Sequence, residues 1–486
     1  MRRAVVWCSL ALIACDASSS DDDGVTRDAG VADAGTRDAG PAPRDGGSLI
    51  GPIPEYTQRP GDPQVGYEAL VNRGYVGCGV PKAAFDQVFG GTPASRKLPG
   101  RDALNADLPY DFNAFVTTSS VTVVSSNCLT CHAGVFDGEV VMGLGDSLRN
   151  FTADPSMFAQ AAGILVSNDP AERAEYEKWR DRIVTTAPFI QTQVIGTNPA
   201  DNLAAILFAH RDADTLAWLD EPALEVPERT PLPVDVPPWW RMKKKNAMFY
   251  SAAGREDHAR IMMTASVLCV DSVEEANAID AYFPDVRAYI ASLEPPAFPR
   301  TVDAQLAAEG QTYFDTYCSR CHGTYGEEET YPNLVVGLDE IGTDPMLAAG
   351  TAQLAERFVD WFEASFYGQI ASLIPAEGYV APPLDGVWIT APYLHNGSVP
   401  DLETLLDSTS RPTYWTRTFD DADYDYDRLG WQWTASDRGH REITNPAERP
   451  PIYDTTLPGH GNQGHTFGDV LTSAQRAAVI EYLKTL

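Results

Sequence analysis

The chain has 486 residues and a formal net charge of −32, and 44% of its residues are hydrophobic. This excess of acidic groups excludes nucleic acid as a partner and a surface of anionic lipids as a binding site, because like charges repel. A chain of this length and composition can bury two or three hydrophobic cores.

The N-terminus has the pattern of a bacterial export signal. Arg2 and Arg3 precede an apolar run over residues 4–14 that is too short to span a bilayer. The run ends in Leu-Ile-Ala-Cys, which resembles a lipoprotein cleavage box, so we expect residues 1–15 to be a lipoprotein signal peptide and Cys15 to carry the lipid. An ordinary signal peptide cut nearby is the alternative. Either signal predicts an extracytoplasmic protein, in the periplasm or at the cell surface, and a lipid anchor is the one membrane attachment that we expect.

Residues 16–47 have the composition of a disordered tether. They are small and acidic, and the tripeptide Asp-Ala-Gly recurs among them. Such a segment has too few large apolar side chains to fold. We expect it to hold the folded part of the chain away from a membrane.

Local patterns predict a few strands and several helices after the tether. Residues 48–110 are rich in Gly and Pro and predict a wrapping segment. A β-branched run at 121–126 predicts a strand, and Asp137-Gly138 predicts a hairpin turn. Helix patterns then follow in three stretches, 156–220, 257–268 and 273–293, and Asp169-Pro170-Ala171-Glu172 opens a helix in the first of them.

Two pentapeptides carry the clearest chemistry: Cys128-Leu129-Thr130-Cys131-His132 and Cys318-Ser319-Arg320-Cys321-His322. In a Cys-x-x-Cys-His sequence the two thiols form thioether bonds to a haem, and the histidine binds its iron. Two such motifs behind an export signal predict two covalently attached haem c groups, with His132 and His322 as axial ligands of the irons.

The second motif stands in the setting of a small cytochrome c. A helix pattern over 303–317 leads into it. The chain ends in Thr472-Ser473-Ala474-Gln475 and another helix pattern, 476–486, which packs against the first in such folds. Pro332 follows at the place where small cytochromes c offer a proline carbonyl to the iron-binding histidine. Residues 114–127, before the first motif, look extended instead.

These patterns predict a mainly α protein with two cytochrome c-like haem domains, long irregular loops and a few short β-hairpins. We expect residues 48–298 to form an N-terminal domain, a rearranged cytochrome c that carries the first haem. We expect residues 299–486 to form a C-terminal cytochrome c domain that carries the second.

Two cysteines have no role in export, lipidation or haem attachment. Cys78 and Cys269 remain after the motif cysteines, Cys15 and the signal-peptide residue Cys8 are assigned. In an oxidising compartment such leftover thiols are commonly joined, so we predict a Cys78–Cys269 disulfide. Two free buried thiols are the alternative.

An acidic loop resembles a calcium site in part. Asp423, Asp425 and Asp427 alternate, but Arg428 stands where a calcium loop requires glycine, and the twelfth position is Thr434. Charge runs usually face water, so the pattern favours a solvated loop over a calcium site.

Longer strings resemble a known family. Residues 386–400, Gly-Val-Trp-Ile-Thr-Ala-Pro-Tyr-Leu-His-Asn-Gly-Ser-Val-Pro, resemble a stretch shared by di-haem cytochrome c peroxidases and their relatives. Three further blocks resemble a narrower branch, the di-haem rubber oxygenases or latex-clearing enzymes: residues 239–247, 341–345 and 457–465.

The resemblance implies a division of labour between the two haems. One is low-spin, has two protein ligands and transfers electrons, and the other keeps an open side for dioxygen or peroxide. In the rubber oxygenases the open haem is the N-terminal one, and the reaction cleaves a carbon–carbon double bond. The implied partners are a small-molecule oxidant, a hydrophobic substrate such as a polyisoprene, and a redox protein.

An aromatic block is the candidate distal pocket of the first haem. Trp239, Trp240, Phe249 and Tyr250 could form an apolar wall over an iron with an open side, or a packed cluster without chemistry. The run Lys243-Lys244-Lys245 could hold haem propionates or face solvent. His210 and His258 stand in charged helical contexts and are interpreted as surface or structural residues.

His465 is the candidate sixth ligand of the second haem. In small cytochromes c this ligand lies in a loop shortly before the C-terminal helix, and His465 occupies such a loop. His395, within the string shared with the peroxidases, is the rival. Bis-histidine ligation would keep this haem low-spin for electron transfer.

Two functions follow from these interpretations. The first is an extracytoplasmic di-haem oxygenase, whose N-terminal haem binds dioxygen and whose C-terminal haem transfers electrons. The alternative is a di-haem cytochrome c peroxidase or a plain electron-transfer cytochrome.

Overall fold

Short helices and antiparallel strand pairs alternate along the chain, in a computed structural model that describes residues 49–89 and 91–486, with 49–50 and 351–357 by their backbone alone. The predicted signal peptide 1–15, the lipidated Cys15 and the tether 16–47 lie outside the described residues. No helix within the described part of the chain is long and apolar enough to cross a bilayer.

The α-helices range from single turns to the nineteen residues of α13. They are α1 (Pro63–Asn72), α2 (Lys82–Phe89), α3 (Leu129–His132), α4 (Pro155–Ala162), α5 (Pro170–Thr186), α6 (Ala200–Ala209), α7 (His258–Met262), α8 (Val273–Asp280), α9 (Phe283–Ser292), α10 (Ala304–Tyr317), α11 (Ser319–His322), α12 (Leu338–Ile341), α13 (Met346–Ala364), α14 (Leu402–Leu405) and α15 (Ser473–Leu483).

The strands are short and pair antiparallel. They are β1 (Leu49–Pro52), β2 (Val80–Pro81), β3 (Phe112–Val116), β4 (Thr122–Ser126), β5 (Ala133–Phe136), β6 (Glu139–Met142), β7 (Gly254–Glu256), β8 (Leu334–Gly337), β9 (Ala371–Leu373), β10 (Gly378–Val380), β11 (Tyr414–Arg417), β12 (Tyr424–Asp425), β13 (Gly430–Trp431), β14 (Trp433–Ala435) and β15 (Ile452–Asp454). The sheets have the orders β1-β8-β10, β2-β4-β3, β14-β11-β15, β5-β6, β7-β9 and β12-β13.

The prediction of a mainly α fold with two cytochrome c-like domains is wrong. Helices take up 38% and strands 14% of the structure, and several small sheets make the fold mixed α/β. Along the chain, the strands of sheet β2-β4-β3 lie between α1 and the first motif, and the strands of sheet β14-β11-β15 lie between α14 and α15. Strands this short contain too few residues for apolar alternation to distinguish them from loops.

Two helix pairs cross at a glycine. Helices α10 and α15 pack together as predicted, and a Cβ on Gly310 would lie 1.9 Å from the carbonyl oxygen of Ala478. Helices α1 and α9 cross in the same way at Gly66, whose Cβ would lie 1.9 Å from the carbonyl oxygen of Asp285. The sequence does not predict this second pair. Helix α10 leads directly into the second motif, whereas β2, β3 and β4 lie between α1 and the first motif.

Several local predictions are confirmed. Strand β4 covers the β-branched run, and the β5–β6 hairpin turns at Asp137 and Gly138, which both have positive φ. Asp169 caps the N-terminus of α5, and Thr472 forms a capping box at the start of α15. Each of these features depends on side chains within a few residues of the turn or cap.

The predicted disulfide is also confirmed. Cys78 and Cys269 are joined across a sequence separation of 191 residues, and both are buried. The bond ties the segment after α1 to the segment before α8.

Replacing Cys78 and Cys269 together by alanine is expected to lower the free energy of unfolding by about 2–4 kcal/mol, because the unfolded chain loses a constraint on a very long loop. Urea unfolding with and without the pair measures the difference. Thiol labelling of the denatured, unreduced wild type should modify neither cysteine. Labelling of both would contradict the bond.

Candidate haem sites

The first motif lies on a short helical turn that follows β4. Helix α3 ends at His132, and the Tyr75 hydroxyl accepts a hydrogen bond of 3.0 Å from the backbone N–H of Cys128. The His132 ring stacks on Trp239, with the ring centres 4.8 Å apart. Burial lowers the pKa of His132 to about 4, against an opposing interaction with the backbone of Pro237. His132 is therefore neutral near pH 7, the form that binds a metal.

The second motif follows α10, and its histidine is held by a proline carbonyl. His322 Nδ1 lies 2.8 Å from the carbonyl oxygen of Pro382. The expectation that Pro332 fills this role is wrong, because the chain between Pro332 and Pro382 folds away and returns with β10. A hydrogen bond at Nδ1 leaves Nε2 as the nitrogen that binds iron.

The four motif cysteines fit covalent haem attachment. Cys128, Cys131, Cys318 and Cys321 are free and half-buried, while the remaining described cysteines are joined to each other. In both motifs a single helical turn holds the two thiols and the histidine together. This donor set matches what a haem c requires, two thiols for thioether bonds and one imidazole for iron.

His465 lies opposite His322. The ring centres of the two histidines are 6.2 Å apart and the ring planes differ by 61°. Metal–imidazole bonds are about 2 Å long, and each ring centre lies about 1 Å beyond its nitrogen, so two imidazoles on opposite sides of one metal have centres about 6 Å apart. The separation fits an iron bound from both sides. Burial and the neighbouring His322 lower the pKa of His465 to about 3, and burial also lowers the pKa of His322, so both rings are neutral near pH 7.

The loop that carries His465 is held by several surrounding segments. Arg411 donates hydrogen bonds to the carbonyl oxygens of Asn462, Gly464 and His465, and the His465 N–H donates to Ile341 at 2.7 Å. The backbone of His465 has φ 44°, a conformation that costs free energy in residues other than glycine. The surrounding contacts therefore hold this histidine in a set position.

Two other blocks of the resemblance also converge on this loop. The Asp344 carboxylate accepts a hydrogen bond from the Gly461 N–H at 3.0 Å. The Asn396 side chain donates to the carbonyl oxygens of Gly459 and Gly461, both at 2.9 Å. The blocks 341–345, 386–400 and 457–465 thus form one structural unit around His465.

His395 lies among tyrosines. Its ring stacks on Tyr379 with centres 4.0 Å apart, and the ring of Tyr250 lies 6.5 Å away. Burial lowers the pKa of His395 to about 3, and its buried Nε2 has no hydrogen-bond partner among the residues that the structure describes. Its ring contacts do not include His322 among the described residues.

The four residues of the candidate distal pocket occupy different surroundings. Trp239 stacks on His132, while Trp240 is fully buried and donates a 2.8 Å hydrogen bond to the carbonyl oxygen of Asp385. Phe249 is 41% exposed. Tyr250 donates a 3.0 Å hydrogen bond to Asp235. The structure does not bring the four into one wall, and a distal pocket at the first haem stays a prediction.

The three consecutive lysines differ in environment. Lys243 pairs with Glu294 at the surface, and Lys244 pairs with Asp385 at 2.6 Å and with Glu329. Lys245 has no carboxylate partner within the described ion pairs, and burial lowers its pKa to about 8. Lys245 is therefore the lysine of this run whose charge is available to bind another anion.

The remaining candidates are structural. The His210 ring stacks on Trp218, and its Nδ1 lies 2.8 Å from the carbonyl oxygen of Leu219, while His258 is buried at the start of α7. Asp425 caps the turn of the β12–β13 hairpin by accepting from the N–H groups of Asp427 and Arg428. Among the residues that the structure describes, no group of three or more acidic, histidine or cysteine side chains is arranged to hold a metal ion.

Sequence reasoning missed the two proline pairs that lie beside the motif histidines. Pro237-Pro238 and Pro382-Pro383 are readable signals, but they lie far along the chain from His132 and His322. Only the folded chain shows that the first proline of each pair faces a motif histidine.

Comparison with known proteins supports a cytochrome c. Residues 378–416 match a family model described as RoxA-like, cytochrome c-like. The matched residues include Pro382, which holds His322, and His395. The match supports a covalently bound haem c and fits a c-type cytochrome oxidoreductase.

Two curated relatives come from Sinorhizobium fredii (strain NBRC 101917 / NGR234). Uncharacterized protein y4iJ is 28% identical over 290 residues, which cover 46% of this chain and 46% of the relative. Uncharacterized protein y4iM is 28% identical over 315 residues, which cover 57% of this chain and 69% of the relative. The chain therefore spans about half the length of the first relative and about two thirds of the second.

Proposed function

We propose that the protein is an extracytoplasmic di-haem c-type cytochrome oxidoreductase with unequal haems. Cys318, Cys321, His322 and His465 would hold the second haem, which would supply electron transfer. Cys128, Cys131 and His132 would hold the first haem, which would supply a binding site for dioxygen or peroxide.

The observation that carries this proposal is the difference between the two motif histidines. His322 faces His465 at 6.2 Å, the separation expected for two ligands on one iron. His132 has no histidine ring contact among the described residues, and its ring partner is the stacked Trp239. An iron with one protein ligand keeps a side on which a small oxidant can bind, and distal polarity and access decide its chemistry.

The chain's own residues supply binding, orientation and exclusion of water. A bound haem c supplies an iron that exchanges electrons and binds small oxidants. The Pro382 carbonyl orients His322, and Arg411 holds the loop that carries His465. Trp239 orients His132 and, at 8% exposure, keeps water from its ring. The resemblance to rubber oxygenases makes a polyisoprene-like hydrophobic compound the substrate that we propose.

The absorption spectrum of haem-loaded protein tests the proposal. After reduction with dithionite, one haem should keep a low-spin spectrum, while the other should change on addition of dioxygen or hydrogen peroxide. A stable oxygen adduct with cleavage of a polyisoprene supports an oxygenase, and turnover of peroxide with a reduced donor supports the peroxidase alternative. Two haems that respond to neither oxidant would contradict an open first haem.

A further inference from the structure

A repeated backbone segment lies beside each motif. Residues 235–254 and 380–399 correspond position by position at a constant spacing of 145 residues (235 to 380). In each copy a proline pair lies beside the motif histidine: the Pro382 carbonyl oxygen is 2.8 Å from His322 Nδ1, and the Pro237 backbone acts on the pKa of His132, whose Nδ1 has no hydrogen-bond partner among the described residues. In each copy a 3-10 helix then ends with a hydrogen bond between equivalent residues, Lys245 N–H to Met242 and Thr390 N–H to Val387. A tight loop follows, closed by the bridges Met248–Gly254 and Tyr393–Val399.

The two loops share the same strained conformation. Phe249 and Leu394 are equivalent and have φ of 68° and 67°. Positive φ in such bulky residues is uncommon and costs free energy, so it persists only where the surroundings impose it. The residue that follows this strained position is Tyr250 in the first copy and His395 in the second.

The two copies pair reciprocally through equivalent hydrogen bonds. The Asp235 N–H donates to the His395 carbonyl at 2.8 Å, and the Val380 N–H donates to the Tyr250 carbonyl at 2.7 Å. Each donor lies two residues before the proline that contacts a motif histidine. This is the pattern of an isologous interface, in which the same surface is used twice. Tyr250 and His395 therefore lie where the two histidine-supporting segments meet.

One polar interaction breaks the symmetry of this interface. The Tyr250 hydroxyl donates a 3.0 Å hydrogen bond to Asp235 Oδ2, whereas the equivalent residues in the other copy are His395 and Val380. Burial raises the pKa of Tyr250 well above 10, so its hydroxyl stays protonated. Burial also raises the pKa of Asp235, to about 7. A phenol hydrogen-bonded to a carboxylate is the arrangement that proton-coupled oxidation of tyrosine requires, because the proton has an acceptor at hand.

We propose that Tyr250 is a redox-active tyrosine that passes oxidising equivalents between the two haem sites, with Asp235 as its proton acceptor. This inference rests on the proposed di-haem function. If hydrogen peroxide oxidised one bound haem by two equivalents and was itself reduced to water, an electron would leave the Tyr250 ring for that haem. The O–H bond breaks, and the proton moves to Asp235 Oδ2, which leaves a neutral tyrosyl radical and a protonated carboxylate. An electron from the other haem and the return of the same proton restore tyrosine.

Freeze-quench electron paramagnetic resonance tests the inference. Haem-loaded protein is mixed with one equivalent of hydrogen peroxide, in unlabelled form and with ring-deuterated tyrosine. The expected result is a radical signal whose hyperfine pattern narrows on deuteration, and its loss in Tyr250→Phe. Asp235→Asn, which removes the acceptor and keeps the shape, should form the radical more slowly. Tyr379→Phe is the matched control, because Tyr379 also contacts His395 but its hydroxyl bonds only backbone groups.

The outcomes distinguish a failure of the proposed electron relay through Tyr250 from a failure of the di-haem proposal. A radical that persists in Tyr250→Phe, or a wild type that carries two haems and forms no tyrosyl radical, would overturn the relay. Loss of the signal in Tyr379→Phe as strongly as in Tyr250→Phe would also overturn it. Intact mass is measured on the same samples, and a wild type without two haems would overturn the di-haem proposal itself.

Discussion

Protein matured in a host that attaches haem to exported proteins is expected to gain the mass of two haems. Each motif presents two free thiols and a histidine on one helical turn, and each histidine is backed by a proline of an equivalent segment. Because a thioether bond is covalent, the haem stays with the chain on denaturation. Intact mass spectrometry of the denatured protein therefore counts the haems directly.

Variants assign the two haems to the two motifs. Cys128→Ser with Cys131→Ser should lose one covalent haem and keep the other, and Cys318→Ser with Cys321→Ser should do the reverse. Cys78→Ser with Cys269→Ser is the control, because it removes two cysteines that are joined to each other and should leave both haems attached. A single haem in the wild type, or two haems in either motif variant, would reject the di-haem proposal.

His465→Ala is expected to convert one haem from low-spin to high-spin. His465 faces His322 at the separation of two ligands on one iron, so its removal leaves that iron with a single strong protein ligand. Electron paramagnetic resonance of the oxidised protein should lose one low-spin signal and gain a high-spin signal. Added imidazole should restore the low-spin signal, which a merely structural defect would not allow.

His395→Ala is the matched control for this experiment. His395 is buried and His465 is half-buried, and the pKa of each is lowered to about 3, so the two substitutions both remove a neutral imidazole from the protein interior. Because the His395 ring contacts Tyr379 and Tyr250, its loss should leave the low-spin signal intact. The reverse result, with the signal lost in His395→Ala and kept in His465→Ala, would assign the ligand to His395 instead.

The sequence by itself predicted the haem chemistry and determined much of the local structure. The Cys-x-x-Cys-His motifs name their ligands within five residues, and the caps at Asp169 and Thr472 depend on neighbouring residues in the same way. The Cys78–Cys269 bond also followed from the sequence, because the other cysteines had roles of their own. The motifs and caps could be predicted because each depends on residues that are close together in the sequence. The disulfide could be predicted because it joins the two cysteines that have no other role.

Only the tertiary structure decided which distant segments meet. Pro382, rather than Pro332, holds His322, and the Gly66 crossing joins helices that are far apart in the chain. The mixed α/β fold arises from strands too short for a periodic pattern, which are stabilised by pairing rather than by their own sequence. The reciprocal bonds of Asp235 and Val380 join two segments with few identical residues. Backbone hydrogen bonds and close packing between distant segments depend on how the whole chain folds. Because a backbone group has the same chemistry in nearly every residue, the sequence carries little signal for these contacts.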